Sequence, residues 1–341
     1  MLKKLKNNKT IYAIGHTLNI FRVKLNVFPY SFKYIFADRI KYHKNNPDST
    51  EKYLILQKAE YTGLMTHMLA SLGWLKYALE NGYTLIINTS GENNIYNNGS
   101  ENTWEIFYEQ PMISESVDNA FVQRIMQSEN FAIAHNSTRY NLTYSRYVPR
   151  RLINIFKPTI LFPKANDFVR DEKSQFYWEK LYSKYIHFQP KIEEYVNNEF
   201  NQILKDKGKV LGVLVRGTAY RDGKPYNHHI QPEMDDLIKK IDEFKEKYNW
   251  DYIYLATEEK KYELMLKEQY PERILTNKRE YGKVITERHG HQAGLEYLSS
   301  MYLLSRCNML VAGLCGGSQA AVLMNQHKYE HVYLFDIGKY K

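Results

Sequence analysis

Arg216 stands at the end of an apolar run, where an arginine is placed to meet an anion. Val210, Leu211, Val213, Leu214 and Val215 precede it, a β-branched pattern typical of a strand covered on both faces. Gly217 and Thr218 follow it. In open parallel sheets ligands bind beyond the carboxyl ends of the strands. A guanidinium offers paired donors to phosphate oxygens, each charge-assisted bond contributing roughly 1.5–3 kcal/mol when shielded from water. An arginine in this place also serves to cap a helix or pair with a carboxylate, and residue type and position leave both readings open.

Two further polar signals stand at predicted strand ends. Thr257-Glu258-Glu259 follows YIYLA, and Gly313-Leu314-Cys315-Gly316-Gly317-Ser318 follows MLVA and runs directly into a predicted helix. In that loop the backbone N–H groups, the Ser318 hydroxyl and the helix N-terminus together form a cradle for phosphate. A Gly-Gly-Ser turn is also a common tight turn with an N-cap, and the strand-end arginine in the same sheet favours the phosphate reading. The loop after Arg216 carries three titratable side chains, Asp222, His228 and His229.

Absent motifs narrow the chemistry. There is neither a GxxxxGK[ST] phosphate loop nor a GxGxxG fingerprint, which weighs against NTPases and dinucleotide oxidoreductases. No D-x-D carboxylate pair is present to hold a metal against a diphosphate, so cationic and backbone donors must do that work. His289-Gly290-His291 and His228-His229 lack the partners of a recognised ligand spacing, and neither a metal nor a cofactor is expected.

The elements that position these groups follow from periodicity. Strand 210–215 is followed by a helix predicted to start at Pro232, with Met234, Leu237, Ile241, Phe244 and Tyr248 on one face. Strands are expected at 252–256, 273–276, 309–312 and 332–335, and helices at 259–270, 293–305 and 318–326. Repeated βα units of this spacing predict a doubly wound parallel sheet. Upstream, 60–81 reads as a helix stopped by Gly82, 83–87 as a strand, and 167–205 as largely helical. The polar loop 88–101 is long enough to be functional or mobile. Trp104, Phe107, Tyr108 and Glu109 form an aromatic–acid cluster suited to holding a sugar or to filling a core. The hydrophilic stretch KDKGK divides the chain into two expected domains, 1–206 and 207–341.

A length of 341 residues suits two domains, and 47 Lys+Arg against 38 Asp+Glu give a net charge of +9. That excess favours anionic partners, although a lysine surplus also serves solubility. The basic residues are scattered and carry no nucleic-acid-binding motif, so nucleic acid is not expected as a partner. No stretch approaches the roughly 20 apolar residues of a spanning helix, and no cleavable signal follows the basic start. Two cysteines, Cys307 and Cys315, suit a reducing cytoplasm. Residues 1–58 alternate Phe28, Tyr30, Phe32, Tyr34 and Phe36 among basic residues, a pattern for core packing or for peripheral contact with an anionic membrane.

Taken in order, LGVLVRGTAY, YIYLATEE and GLEYLSSMYLLSRCNMLVAGLCGGSQAAVLMNQ resemble the three motifs of the GDP-fucose-using fucosyltransferase superfamily, the α1,6-/O-fucosyltransferase-like GT-B enzymes and their bacterial capsule and lipopolysaccharide relatives. YTGLMTHMLASLGWLKYALENGYTLIINT and ENTWEIFYEQP are similar to the acceptor-side half of bacterial members. The resemblance implies two Rossmann-like domains, an acceptor-side one over 1–206 and a nucleotide-sugar-binding one over 207–341, and an inverting, metal-independent glycosyltransferase in which Asp222 foremost, with His228 and His229 as substitutes, would take the proton of the acceptor hydroxyl. It would move a sugar, fucose foremost, from GDP-fucose to a hydroxyl of a surface-polysaccharide or glycolipid acceptor at the inner face of the cell membrane. Arg216 with Gly217 and Thr218 would clamp the β-phosphate, and Gly316, Gly317, Ser318 and Gln319 would bind phosphate from the other side. Thr257, Glu258, Glu296 and Ser300 would line the nucleoside pocket. Leu214, Ala219 and Ser300 depart from the family pattern, where His, Asp and an acid are common. Those departures leave open another donor, such as GDP-mannose or a UDP-sugar, or a non-catalytic sugar-nucleotide binder.

Overall fold

In a computed structural model of the chain the described residues are 40–44, 48–58, 63–90, 96, 102–136, 172–217, 221, 223–224, 228–281 and 290–340. Two sheets organise them. The first contains β1 (Ile40–Lys44), β2 (Lys52–Lys58), β3 (Thr84–Asn88) and β4 (Asn130–Asn136) in the order β1-β4-β2-β3. β2 runs parallel to β3 and β4, and β1 is antiparallel to β4. Leu54, Ile55 and Leu56 are fully buried at the centre of this sheet. The second sheet contains β5 (Val210–Val215), β6 (Tyr252–Thr257), β7 (Ile274–Leu275), β8 (Met309–Gly313) and β9 (His331–Phe335), all parallel, in the order β7-β6-β5-β8-β9. The chain winds outward from β5 in one direction and then from β8 in the other, so the strand order reverses between these two.

The period-2 alternation of β5 separates two cores. Leu211, Val213 and Val215 face α6 (Met234–Tyr248), packing with Leu237, Ile241 and Phe244. Val210 and Leu214 face the opposite layer, which includes α8 (His291–Ser305) and α9 (Gly316–Asn325). Between them Gly212 lets α8 come close, because a Cβ there would lie 3.1 Å from Leu304 Cδ2 and 3.2 Å from Cys307 Sγ. The helix upstream, α1 (Leu64–Asn81), ends as the sequence predicts: Gly82 takes φ 68° and its N–H bonds Ala78 O. α1 contributes Leu64, Met65, Met68, Leu72 and Leu75 to the same core cluster as α8 and α9, so one apolar layer joins helices from both halves of the chain.

Several boundaries differ from expectation for identifiable reasons. The stretch read as largely helical over 167–205 is, where described, two helices, α4 (Glu172–Tyr185) and α5 (Pro190–Ile203). Backbone pairing breaks them: Glu109 N donates to His187 O at 2.9 Å and Gln189 N to Phe107 O at 3.0 Å, with Pro190 opening the second helix. α6 begins at Met234 rather than Pro232, because Glu233 stays extended (φ −67°, ψ 159°) as N-cap and the Arg221 guanidinium bonds Pro232 O. The cluster suited to sugar or core is core: Trp104, Phe107 and Tyr108 are buried, and Trp104 stacks on Tyr108 with centroids 4.6 Å apart. The alternating aromatics at 28–36 lie outside the described residues. Among the described residues no helix is long and apolar enough to cross a membrane.

Candidate functional site

The register of the second sheet builds the site. Leu214 pairs with Ala256 and Val215 with Thr257, so the next residues out, Arg216 and Glu258, leave the sheet side by side. Arg216 Nη1 donates to Glu258 Oε1 at 2.5 Å, with the arginine side chain 10% and the glutamate side chain 25% exposed. The strand-end arginine is thus nearly buried and pre-oriented by a carboxylate. Its charge reaches Tyr96 and Tyr297 as well. Burial pushes the Tyr96 hydroxyl up to about 12 and Tyr297 well above its ordinary value, while Arg216 pulls both downward. Gly217 lies against the Glu259 carboxylate, which would have to move to admit a Cβ there.

β8 supplies the opposing wall. The helix α9 starts at Gly316, two residues before the expected start, and Cys315 rather than Ser318 is its N-cap. Ser318 Oγ turns inward: it lies 2.9 Å from Gly313 O and accepts from Cys315 N at 3.0 Å, and the residue is fully buried. The cradle at this turn therefore consists of the Gly316 and Gly317 N–H groups, which precede the first intrahelical acceptors, and the positive end of the helix dipole. Gly317 lies beneath Tyr297, where a Cβ would approach its hydroxyl to 3.2 Å and Met301 Sδ to 2.8 Å. Gly316 abuts Thr66 of α1, whose Oγ1 would be 2.8 Å from an added Cβ. Gln319 is buried behind the turn, its N–H on Cys315 O at 3.1 Å.

On the β6–β7 side lies a buried polar cluster. Tyr254 Oη donates to Asn277 Oδ1 at 2.9 Å, and Ser300 Oγ lies 2.8 Å from Glu296 O and 3.2 Å from the same Asn277 oxygen. Arg279 Nη1 donates to Ser300 Oγ at 3.4 Å. The Glu296 carboxylate accepts from Gln292 Nε2 at 3.2 Å and from Glu280 N at 3.3 Å. Glu296 and Ser300, one turn apart on α8, are brought together as their spacing requires. Asn277, Arg279 and Tyr254 were not among the expected site residues. Their signal was weak, since NKRE after a two-residue strand reads as a solvated turn. Thr257 is buried, and its Oγ1 accepts from Glu259 N at 3.3 Å ahead of α7 (Lys260–Gln269).

Of the candidate bases, Asp222 lies outside the described residues, as does Thr218. His228 and His229 form a short ladder with the C-terminal tail: Ile230 N donates to Gly338 O and Tyr340 N to His228 O, both at 3.0 Å, with His229 paired to Lys339. His229 Nδ1 is 3.7 Å from Asp336 Oδ1. Burial and the Lys339 ammonium lower the His229 pKa from its ordinary 6.5, and Asp336 partly offsets them. Among the described residues no group of three or more His, Cys, Asp or Glu side chains is close enough to hold a metal.

No protein-family model and no curated protein sequence matches the chain. Solved structures do. NodZ α-1,6-fucosyltransferase soaked with GDP-fucose aligns with a TM-score of 0.48 at 16% identity, covering 84% of this chain and 96% of its own, and NodZ from Bradyrhizobium gives 0.48 at 15%. Arabidopsis thaliana FUT1 in complex with GDP gives 0.49 at 10%, covering 84% and 71%, and POFUT1 in complex with GDP gives 0.48 at 10%, covering 86% and 100%.

Proposed function

We propose that the chain is an inverting, metal-independent glycosyltransferase that moves fucose from GDP-fucose to a hydroxyl of a surface-polysaccharide or glycolipid acceptor. One observation carries the reading. At the point where the strand order of the parallel sheet reverses, a nearly buried arginine follows β5 and the Gly-Gly first turn of α9 follows its neighbour β8. Both groups favour an anion.

In this reaction the acceptor oxygen bonds to the sugar's anomeric carbon from the face opposite the diphosphate. The bond from that carbon to the β-phosphate oxygen breaks, its electron pair leaving on the diphosphate, while the acceptor proton passes to a base. Arg216 and the α9 N-terminus neutralise the negative charge that grows on the leaving group. Glu258 holds the guanidinium in place before the donor arrives. Glu296, Asn277, Arg279 and Ser300 form the polar lining against which a nucleobase is read. The net charge of +9 suits work at the cytoplasmic face of an anionic membrane.

The test is calorimetric titration of the full chain with GDP, UDP, CMP and ADP in EDTA. Selective GDP binding supports the fucosyl donor. Preference for UDP retains the glycosyltransferase and replaces the donor, and binding of none of the four refutes the nucleotide site.

A further inference from the structure

The loop that follows Arg216 returns to the sheet under an unusual clasp. Leu314, just beyond β8, is held from two sides: its N–H donates to Phe335 O at 3.2 Å, and its carbonyl accepts from Gln231 Nε2 at 3.1 Å. The first contact fixes the end of β9, so Asp336 emerges beside the turn that opens α9. The second fixes the return of the loop, because the same Gln231 amide also lies 3.2 Å from His229 O. The tail then doubles back along the loop through the Ile230–Gly338 and Tyr340–His228 backbone bonds. Two segments distant in sequence are thereby held so that one imidazole meets one carboxylate.

We propose, resting on the glycosyltransferase reading above, that His229 is the base that takes the acceptor hydroxyl proton and that Asp336 positions it. The side chains are 14% and 20% exposed, and Nδ1 of His229 is shielded from water with Asp336 Oδ1 3.7 Å away. That separation exceeds a hydrogen bond, and catalytic hydrogen bonds commonly tighten only when substrate is bound. A carboxylate on Nδ1 selects the tautomer with Nδ1 protonated, leaving Nε2 with the lone pair that accepts a proton. The acceptor O–H bond breaks onto Nε2 as the oxygen bonds to the anomeric carbon and the diphosphate departs. The imidazolium formed is stabilised by the Asp336 carboxylate. Among the described residues the charged groups acting on His229 are Asp336 and, from the tail, Lys339. Burial, and with it Lys339, favours the neutral imidazole, the form able to accept a proton.

The experiment uses the full chain labelled with ¹⁵N-histidine, the His229 signals being assigned by their loss in His229→Gln. Neutral His229 should show a protonated Nδ1 and a bare Nε2, titrating below 6.5; Asp336→Asn should lower that pKa further and shift the tautomer balance. With GDP-fucose as donor and water as acceptor, His229→Gln should lower kcat about 10²–10⁴-fold and abolish the acidic limb of the pH–rate profile. GDP binding should be unchanged. Asp336→Asn should lower kcat less and move the limb to lower pH. A protonated Nε2 insensitive to Asp336→Asn overturns the proposal, as does full turnover in His229→Gln while Asp222→Asn is inactive. Wild-type protein that binds no GDP refutes the glycosyltransferase reading itself, an outcome distinct from failure of the dyad alone.

Discussion

Replacing Arg216 by alanine removes the guanidinium that the strand register places at the end of β5. The guanidinium is 10% exposed, so a phosphate bond made there is shielded from water and stands at the strong end of the charge-assisted range, roughly 1.5–3 kcal/mol. At about 1.4 kcal/mol per decade this is a loss of about 10- to 150-fold in GDP affinity. The clamp acts on the β-phosphate, so GMP should lose far less, and the ratio of GDP to GMP affinity should collapse towards one. Arg216→Lys keeps the charge without the paired donors or the fixed geometry against Glu258, and should recover only part of the difference. Isothermal calorimetry with both nucleotides reads the two affinities, and circular dichroism confirms that each variant is folded, since Arg216→Ala also leaves Glu258 without its partner. Equal weakening of GDP and GMP, or GDP affinity unchanged in a folded variant, would refute the assignment of Arg216 to the diphosphate.

Two further perturbations test other parts of the molecule. Glu296→Gln should weaken GDP and GMP by the same factor, about 10-fold, because it alters the side of the site that meets the base rather than the phosphates, and competitive titration measures both. Glu263 on α7 is buried, which alone would raise its pKa, but bonds from Lys260 and Lys267 at 2.7 and 2.6 Å bring it down to about 2. A depressed carboxylate stabilises the fold above its unfolded value and loses that contribution as pH falls through about 2. With the two lysines about half exposed, the contribution is on the order of 1–2 kcal/mol. Thermal melting between pH 5 and pH 2 should show a steeper loss in wild type than in Glu263→Gln; parallel curves would remove the carboxylate from the account.

The second sheet was legible because its strands are buried on both faces. Runs such as Val210–Val215 and Met309–Gly313 contain no polar residue, and the helices between them keep a clear three- and four-residue stripe. Strand-end positions then followed from topology, which is why Arg216 and the Gly316-Gly317 turn could be picked out. β1, β2 and β4 were missed; in β2 the apolar run Leu54-Ile55-Leu56 is short, and its burial depends on β3 and β4 pairing on either side. The break at 186–189 is a tertiary effect, made by backbone bonds to residues 107–109 that no helical periodicity records. Ser318 shows a finer limit: its identity marks a helix start, but only the capping geometry reveals that the hydroxyl faces into the turn. Asp336 carried no local signal, since its relation to His229 arises from a tail that folds back across the sheet.

The apolar layer shared by α1, α8 and α9 has a consequence for cooperativity. Leu64, Met68, Leu72 and Leu75 come from the first half of the chain and Leu298, Leu303, Ala320 and Leu323 from the second, yet all belong to one buried cluster. Cutting the chain at 206/207 would expose the matching faces of both pieces to water, at roughly 1.5–3 kcal/mol for each large side chain uncovered. Neither fragment would then keep its own stability, and the helix whose first turn holds the Gly-Gly pair would lose the α1 surface against which Gly316 rests. The shared cluster links the two sheets, so a destabilising change in α1 is expected to loosen the turn that opens α9 as well.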